Sequence, residues 1–264
     1  ANTYIGIFII MFSVISSGMV AVMTQNIGAG RPGVAYQARQ LGLAFNAVLG
    51  VIMSLFLSLG AGTILSGVGV ADALMQPAKT YLQIVGGFCI LNALIPICSS
   101  YLRAFGFSKE PLYASIIGNV INFCLNAFFL FVLHKGVAGV ATATVISRII
   151  NLMIVVLLGA VLVKAKQHPE RESNRAVMGQ IIRIGLPSAC ETAIYNVSMT
   201  LVIRFLNQMD AQGLNVTARS YTMQITNFSY CVGAALAQAN AIMTGWHIGA
   251  KEYDACDRGT KKAG

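Results

Sequence analysis

Residues 40–66 read QLGLAFNAVLGVIMSLFLSLGAGTILS, 27 positions without a charged side chain. At about 1.5 Å of rise per residue, a helix of that length exceeds the roughly 20 residues that cross the hydrocarbon core of a bilayer. The run shows no clean two-residue alternation, so a helix is favoured over a barrel strand. The rest of the chain agrees: 56% of residues are hydrophobic, only 10% are charged, and the mean hydropathy is +0.70. Soluble domains carry about 25% charged residues, so this chain cannot clothe a water-facing surface. The sequence describes an all-α integral membrane protein, a polytopic helical bundle.

Seven spanning segments are expected, at about 4–27, 40–66, 78–102, 111–133, 138–163, 180–207 and 217–247. Most connections are short, and the one long polar stretch runs from Lys164 to Arg175. It divides the chain into an amino-terminal unit (1–164), a cytoplasmic linker (165–179) and the start of a second unit (180–264). With the loop after the first segment on the cytoplasmic side, thirteen Lys and Arg fall there and four on the opposite side. That bias sets the orientation. It also accounts for the net charge of +9 through anionic lipid, without a nucleic-acid partner. The chain opens without Met and closes in a polar stretch, so a fragment of a longer protein is expected.

The first segment exits through Ile27-Gly28-Ala29 and the last through Ile248-Gly249-Ala250. The two triplets lie 248 − 27 = 221 residues apart, with six helices in that span. A six-helix repeat is an architecture that places a transport path between its halves.

Of nine acids, Glu191 alone lies deep in an apolar segment. An intramembrane charge costs roughly 2.5–3.5 kcal/mol and marks an ion or proton site by default; the alternative is a protonated acid used in packing. Tyr195 and Ser198 share its helix face at i+4 and i+7, Asn196 is adjacent, and Pro187 frees a carbonyl nearby. Asn119, Asn122 and Asn126 form a second polar stripe, and Thr144, Arg148 and Asn151 a third. These stripes are packing glue between helices or the lining of a hydrated cavity. Arg148 has no obvious acidic partner. Gln224 and Asn227 add polar groups to the last segment. No P-loop, GxSxG or HExxH motif occurs, so an enzyme is not expected. The six cysteines read as small buried apolar residues, and no metal site is expected.

Several stretches together carry a family resemblance. They are Gln25-Asn26-Ile27-Gly28-Ala29-Gly30-Arg31-Pro32, Tyr101-Leu102-Arg103-Ala104-Phe105-Gly106 running to Pro111, Asn122 to Asn126, Gly136 to Ser147, Ile184-Gly185-Leu186-Pro187 and Ile248-Gly249-Ala250. In this order and spacing the chain resembles the multidrug and toxic compound extrusion (MATE) transporters over essentially its whole length. The resemblance implies two pseudo-symmetric six-helix lobes, with these seven segments as helices two to eight of twelve. It implies export of organic cations by alternating access, driven by inward Na⁺ or H⁺, with no other cofactor. It implies a multi-pass monomer in a bacterial plasma (inner) membrane, whose partners are small organic cations, the coupling cation and the bilayer. Glu191 resembles the helix-seven acid of one group of members; others place the acid a turn later, where Tyr195 stands. An Asn–Asp pair of one branch reads Asn122 and Asn126 here, which shifts weight to Glu191. The coupling site implied is Glu191, Tyr195, Asn196 and Ser198. The substrate cavity implied is Asn119, Asn122, Asn126, Arg148, Gln224 and Asn227. A related-fold alternative is a lipid-linked oligosaccharide flippase, and a further one is a truncated, non-transporting fragment.

Overall fold

The computed structural model describes residues 2–68, 72–163, 170–209 and 214–263, and among these it contains α-helices and no strand. The helices are α1 (Asn2–Gly28), α2 (Pro32–Leu59), α3 (Ala61–Val68), α4 (Asp72–Gly87), α5 (Ile90–Ala104), α6 (Lys109–Ala127), α7 (Gly136–Leu162), α8 (Asn174–Met209), α9 (Leu214–Gly249) and α10 (Tyr253–Ala263). A π-helical turn, Phe128–Val132, extends α6.

Each of the seven expected segments is helical, with differences at the boundaries. The second begins earlier than expected, at Pro32, because Pro suits a helix's first turn. It stops at Gly60, beyond which α3 is a separate short helix. The third segment is two helices, α4 and α5, bent by 42°. At the break the Ile90 amide donates to Ser54 Oγ of α2 at 3.2 Å, so a donor freed by the bend is satisfied from the neighbouring helix. α8 begins at Asn174, so the end of the expected linker is already helical, while residues 164–169 lie outside the described residues. The carboxyl-terminal polar stretch contains α10.

Among the described residues, three helices are long and apolar enough to cross a membrane, Pro32–Leu59, Lys109–Val132 and Gly136–Leu162, or four spans if the bent pair counts as one. Their outer faces expose Val48, Phe123, Phe131, Leu157 and Val161, as lipid-facing surfaces do. α8 and α9 are longer, at 36 residues each, and more polar.

α1 is the hub of the bundle. It lies between α8 and α9, which scarcely touch one another, and also packs on α2 and α5. Its buried Ile15, Met19, Val22 and Met23 join Ile97, Tyr101 and Leu102 of α5 and Val177 and Ile181 of α8 in one core. Tyr101 is fully buried, stacks edge-on to Phe105 with centroids 5.1 Å apart, and lies 4.5 Å from the Arg39 guanidinium. That cation–π contact ties α2 to α5. α7 packs on α4 and α5, and α6 packs on α7. Of the six free cysteines, Cys98 is buried, while Cys124, Cys190 and Cys231 are exposed on outer helix faces. The expectation of six buried cysteines is corrected there.

Candidate functional site

The Ile-Gly-Ala echo has a three-dimensional counterpart. At the end of α1, Ala29 N–H donates to Gln25 O (2.9 Å) and Arg31 N–H to Asn26 O (2.8 Å), with Gly30 at φ +72°. At the end of α9, Ala250 N–H donates to Trp246 O (2.9 Å) and Glu252 N–H to His247 O (2.8 Å), with Lys251 at φ +62°. Each pair of equivalent positions is 221 apart. Both ends are left-handed helix stops, and in the second a lysine holds the conformation that glycine holds in the first.

The two ends also cross each other. A Cβ on Gly28 would lie 2.8 Å from Trp246 Cα and closer still to its carbonyl. A Cβ on Gly249 would lie 2.9 Å from Ala29 N and closer still to the Gln25 carbonyl. Each glycine therefore abuts the residue three positions before the other, which is a two-fold arrangement. Thr24 and Gly245, also 221 apart, face each other at the crossing. A Cβ on Gly245 would lie 2.6 Å from Thr24 Cβ. The backbones touch because small residues stand there, the usual means of close helix approach in membranes. Gly18 does the same one helix over, against Ile181 and Gly185 of α8.

Polar contacts fasten the same end of the bundle. Trp246 Nε1 donates to Ala104 O at 3.0 Å, tying α9 to α5. Gln37 of α2, buried, donates to Glu172 O (2.7 Å) and to Asn174 Oδ1 (2.5 Å), and accepts from Glu172 N–H (3.1 Å). Arg31 Nη1 pairs with Glu172 Oε1 at 2.6 Å. The carboxyl ends of α1, α5 and α9 and the amino ends of α2 and α8 thus share one face, the one the basic loops assign to the cytoplasm.

Two cavities that contain polar groups open in the bundle. One, about 420 Å³, lies between α1, α5 and α9; its wall is largely apolar, with Val20, Ala21, Pro96 and Ala241, and Ser16, Ser100, Arg103 and Gln238 supply polar groups. Sequence reasoning missed it, because its groups come singly from three helices and form no stripe. The other, about 140 Å³, lies between α6 and α7 and brings together Asn119, Asn122, Thr144, Ser147, Arg148 and Asn151. Asn122 Nδ2 donates to Ser147 Oγ (3.2 Å) and Asn126 Nδ2 to Asn122 Oδ1 (3.0 Å). The second and third polar stripes therefore form one site. Gln224 and Asn227 are exposed on α9 and do not line it.

Glu191, Tyr195 and Ser198 are exposed on α8. The face of α8 packed inward carries Val177, Ile181, Gly185 and Ala189, and Glu191 stands roughly 200° around the helix from Ala189. Asn196 lies on another side and donates to Thr192 O at 2.9 Å. α8 runs through Pro187 without a break.

A polytopic bundle of internally repeated helices, meeting at a two-fold crossing and holding cavities that contain polar groups, defines the class as a membrane transporter fold. Comparison with known proteins makes it specific. The MatE family model matches residues 1–128. An uncharacterised transporter, YisQ of Bacillus subtilis, is 33% identical over 261 residues, covering 97% of this chain and 57% of that protein. YoeA of the same organism, a probable multidrug resistance protein, is 25% identical over 226 residues, covering 80% of this chain and 47% of that protein. A structure described as the outward-facing conformation of a multidrug resistance MATE family transporter superposes with a TM-score of 0.83 at 19% identity, covering 99% of this chain and 58% of that one. The chain is similar to MatE-family proteins along its whole length, and it spans about half the length of the curated relatives it matches.

Proposed function

We propose that the full-length protein is a secondary active exporter that works by alternating access, exchanging small organic compounds for Na⁺ or H⁺ across a bacterial plasma membrane. The observation that carries this reading is the two-fold crossing of α1 and α9 at Gly28 and Gly249. Two equivalent helix ends that meet through backbone, with no side chains interlocked at the glycines, form a seam that can part as two rigid bodies. The first six-helix lobe would then include α1 to α7, and the second would begin with α8. Family resemblance supports organic cations as substrates. Glu191 is the carboxylate offered for coupling, with Tyr195 and Ser198 on its face and Asn196 beside it. Asn119, Asn122, Asn126 and Arg148, together with Gln224 and Asn227, are the groups offered to the substrate. The flippase reading gains from one observation: both cavities contain an arginine.

The test is ethidium efflux in vesicles of the full-length protein, with Na⁺ and H⁺ gradients imposed separately. One gradient should drive efflux, and Glu191→Gln should abolish the driven component while expression is retained. Efflux that ignores both gradients, or survives Glu191→Gln unchanged, contradicts the reading.

A further inference from the structure

The cavity between α1, α5 and α9 has a composition that a site for organic cations does not explain. Its one charged group is Arg103, and no carboxylate lines it. Arg103 Nη2 donates to Ser100 Oγ at 3.1 Å, while its Nε is buried and has no partner. Among the described residues the ion pairs are Arg31–Glu172 and His247–Glu252, neither of which involves Arg103. Arg103 stands in the last turn of α5, where a cation could be held by terminal carbonyls. The carbonyl next to it, that of Ala104, already accepts from Trp246. A guanidinium presents five donors in a planar fork that matches a carboxylate or phosphate. The cavity adds the hydroxyls of Ser16 and Ser100 and the amide of Gln238 around that fork.

The second cavity repeats the pattern independently. Arg148 stands there among Asn119, Asn122, Ser147 and Asn151, again without a carboxylate. A cation inside a membrane bundle is costly unless partnered; both arginines are partly buried, and among the described residues neither is in an ion pair.

We propose that the cavity between α1, α5 and α9 is a binding site for an anionic group, a carboxylate or a phosphate, held by the Arg103 guanidinium with Ser100 and Gln238. The cavity lies along α1, α5 and α9 just before the crossing, so the anionic group would sit against the closed seam. As a subsite on the transport path it rests on the export reading above; as an anion site it does not. The group belongs to a soluble compound or to a phospholipid headgroup.

The test uses the full-length protein in phosphatidylcholine nanodiscs, titrated calorimetrically with benzoate and with inorganic phosphate. Wild type should bind at least one of the two probes. Arg103→Gln should weaken binding about tenfold or more, the loss of one or two charge-assisted hydrogen bonds. Gln238→Leu should weaken it less, about two- to fivefold on the same scale, and serves as the second variant if Arg103→Gln does not fold. Nanodiscs doped with phosphatidylglycerol separate the sources. Weaker probe binding there identifies a headgroup as occupant, and unchanged binding identifies a soluble anion; both support the site. Absence of probe binding to wild type overturns the proposal, as does probe binding that neither variant changes. Gradient-driven ethidium efflux by the same wild-type preparation shows whether the export reading stands when the anion site fails.

Discussion

Gln37 is 5% exposed, and its single amide makes three hydrogen bonds to residues 172 and 174. It holds the segment leading into α8 by that segment's own backbone. Replacing it with leucine leaves a Glu172 N–H and C=O without partners, at about 1–3 kcal/mol for each buried group. The neighbouring Arg31–Glu172 pair is half-exposed on the arginine side, and such pairs contribute about 0–1 kcal/mol. Gln37→Leu should therefore speed tryptic cleavage at Arg171 in the native protein far more than Arg31→Gln does. Equal rates for the two variants would remove Gln37 as the main fastening. Nothing in the sequence marked Gln37, because a lone glutamine near a helix start carries no pattern. Glu191 was legible for the opposite reason: it is the one acid set deep in an apolar run, and burial cost alone singles it out. The sequence alone could not say which way its side chain points, and the structure places it on the face of α8 turned from α1.

At the scale of elements, hydropathy located all seven segments but not the bend between α4 and α5. A break in a span leaves its mean apolarity unchanged, and the compensating Ser54 lies 36 residues away on another helix. The Ile-Gly-Ala echo was legible because a repeat preserves local helix stops; that the two stops touch one another was not. The crossing predicts which glycines tolerate a methyl group. Gly179 and Gly233 have open space around them, so alanine there should be neutral or stabilise by up to about 1 kcal/mol through helix propensity. Gly28→Ala and Gly249→Ala should each lower the midpoint of thermal unfolding, and by similar amounts, since they are mirror positions. Gly245→Ala should be destabilising alone and relieved by Thr24→Gly, which removes the opposing side chain. Failure of that rescue would mean that the seam is not set by steric fit.

At the scale of the molecule, α1 makes most of the contacts that join α2 and α5 to α8 and α9, with α2–α8 and α5–α9 contacts beside it. Its carboxyl-terminal half meets α9 at the two-fold crossing, and its middle meets α8 through Gly18. The joined end carries the basic loops, and under the export reading proposed above the seam would close a transport path on that side. If transport proceeds by parting this seam, a methyl group at the crossing should bias the protein towards the parted state before it unfolds it. Gln40 on α2 and Lys261 on α10 are exposed and 221 residues apart, equivalent positions on the helices that follow α1 and α9. The most direct test places spin labels at these two positions in the full-length protein, with its other cysteines replaced, and measures the distance between them by pulsed electron resonance. The account predicts a short, narrow distribution at rest, a longer population in Gly28→Ala, and the same longer population in the unmodified seam during gradient-driven efflux. A single distribution that neither Gly28→Ala nor turnover alters would contradict it.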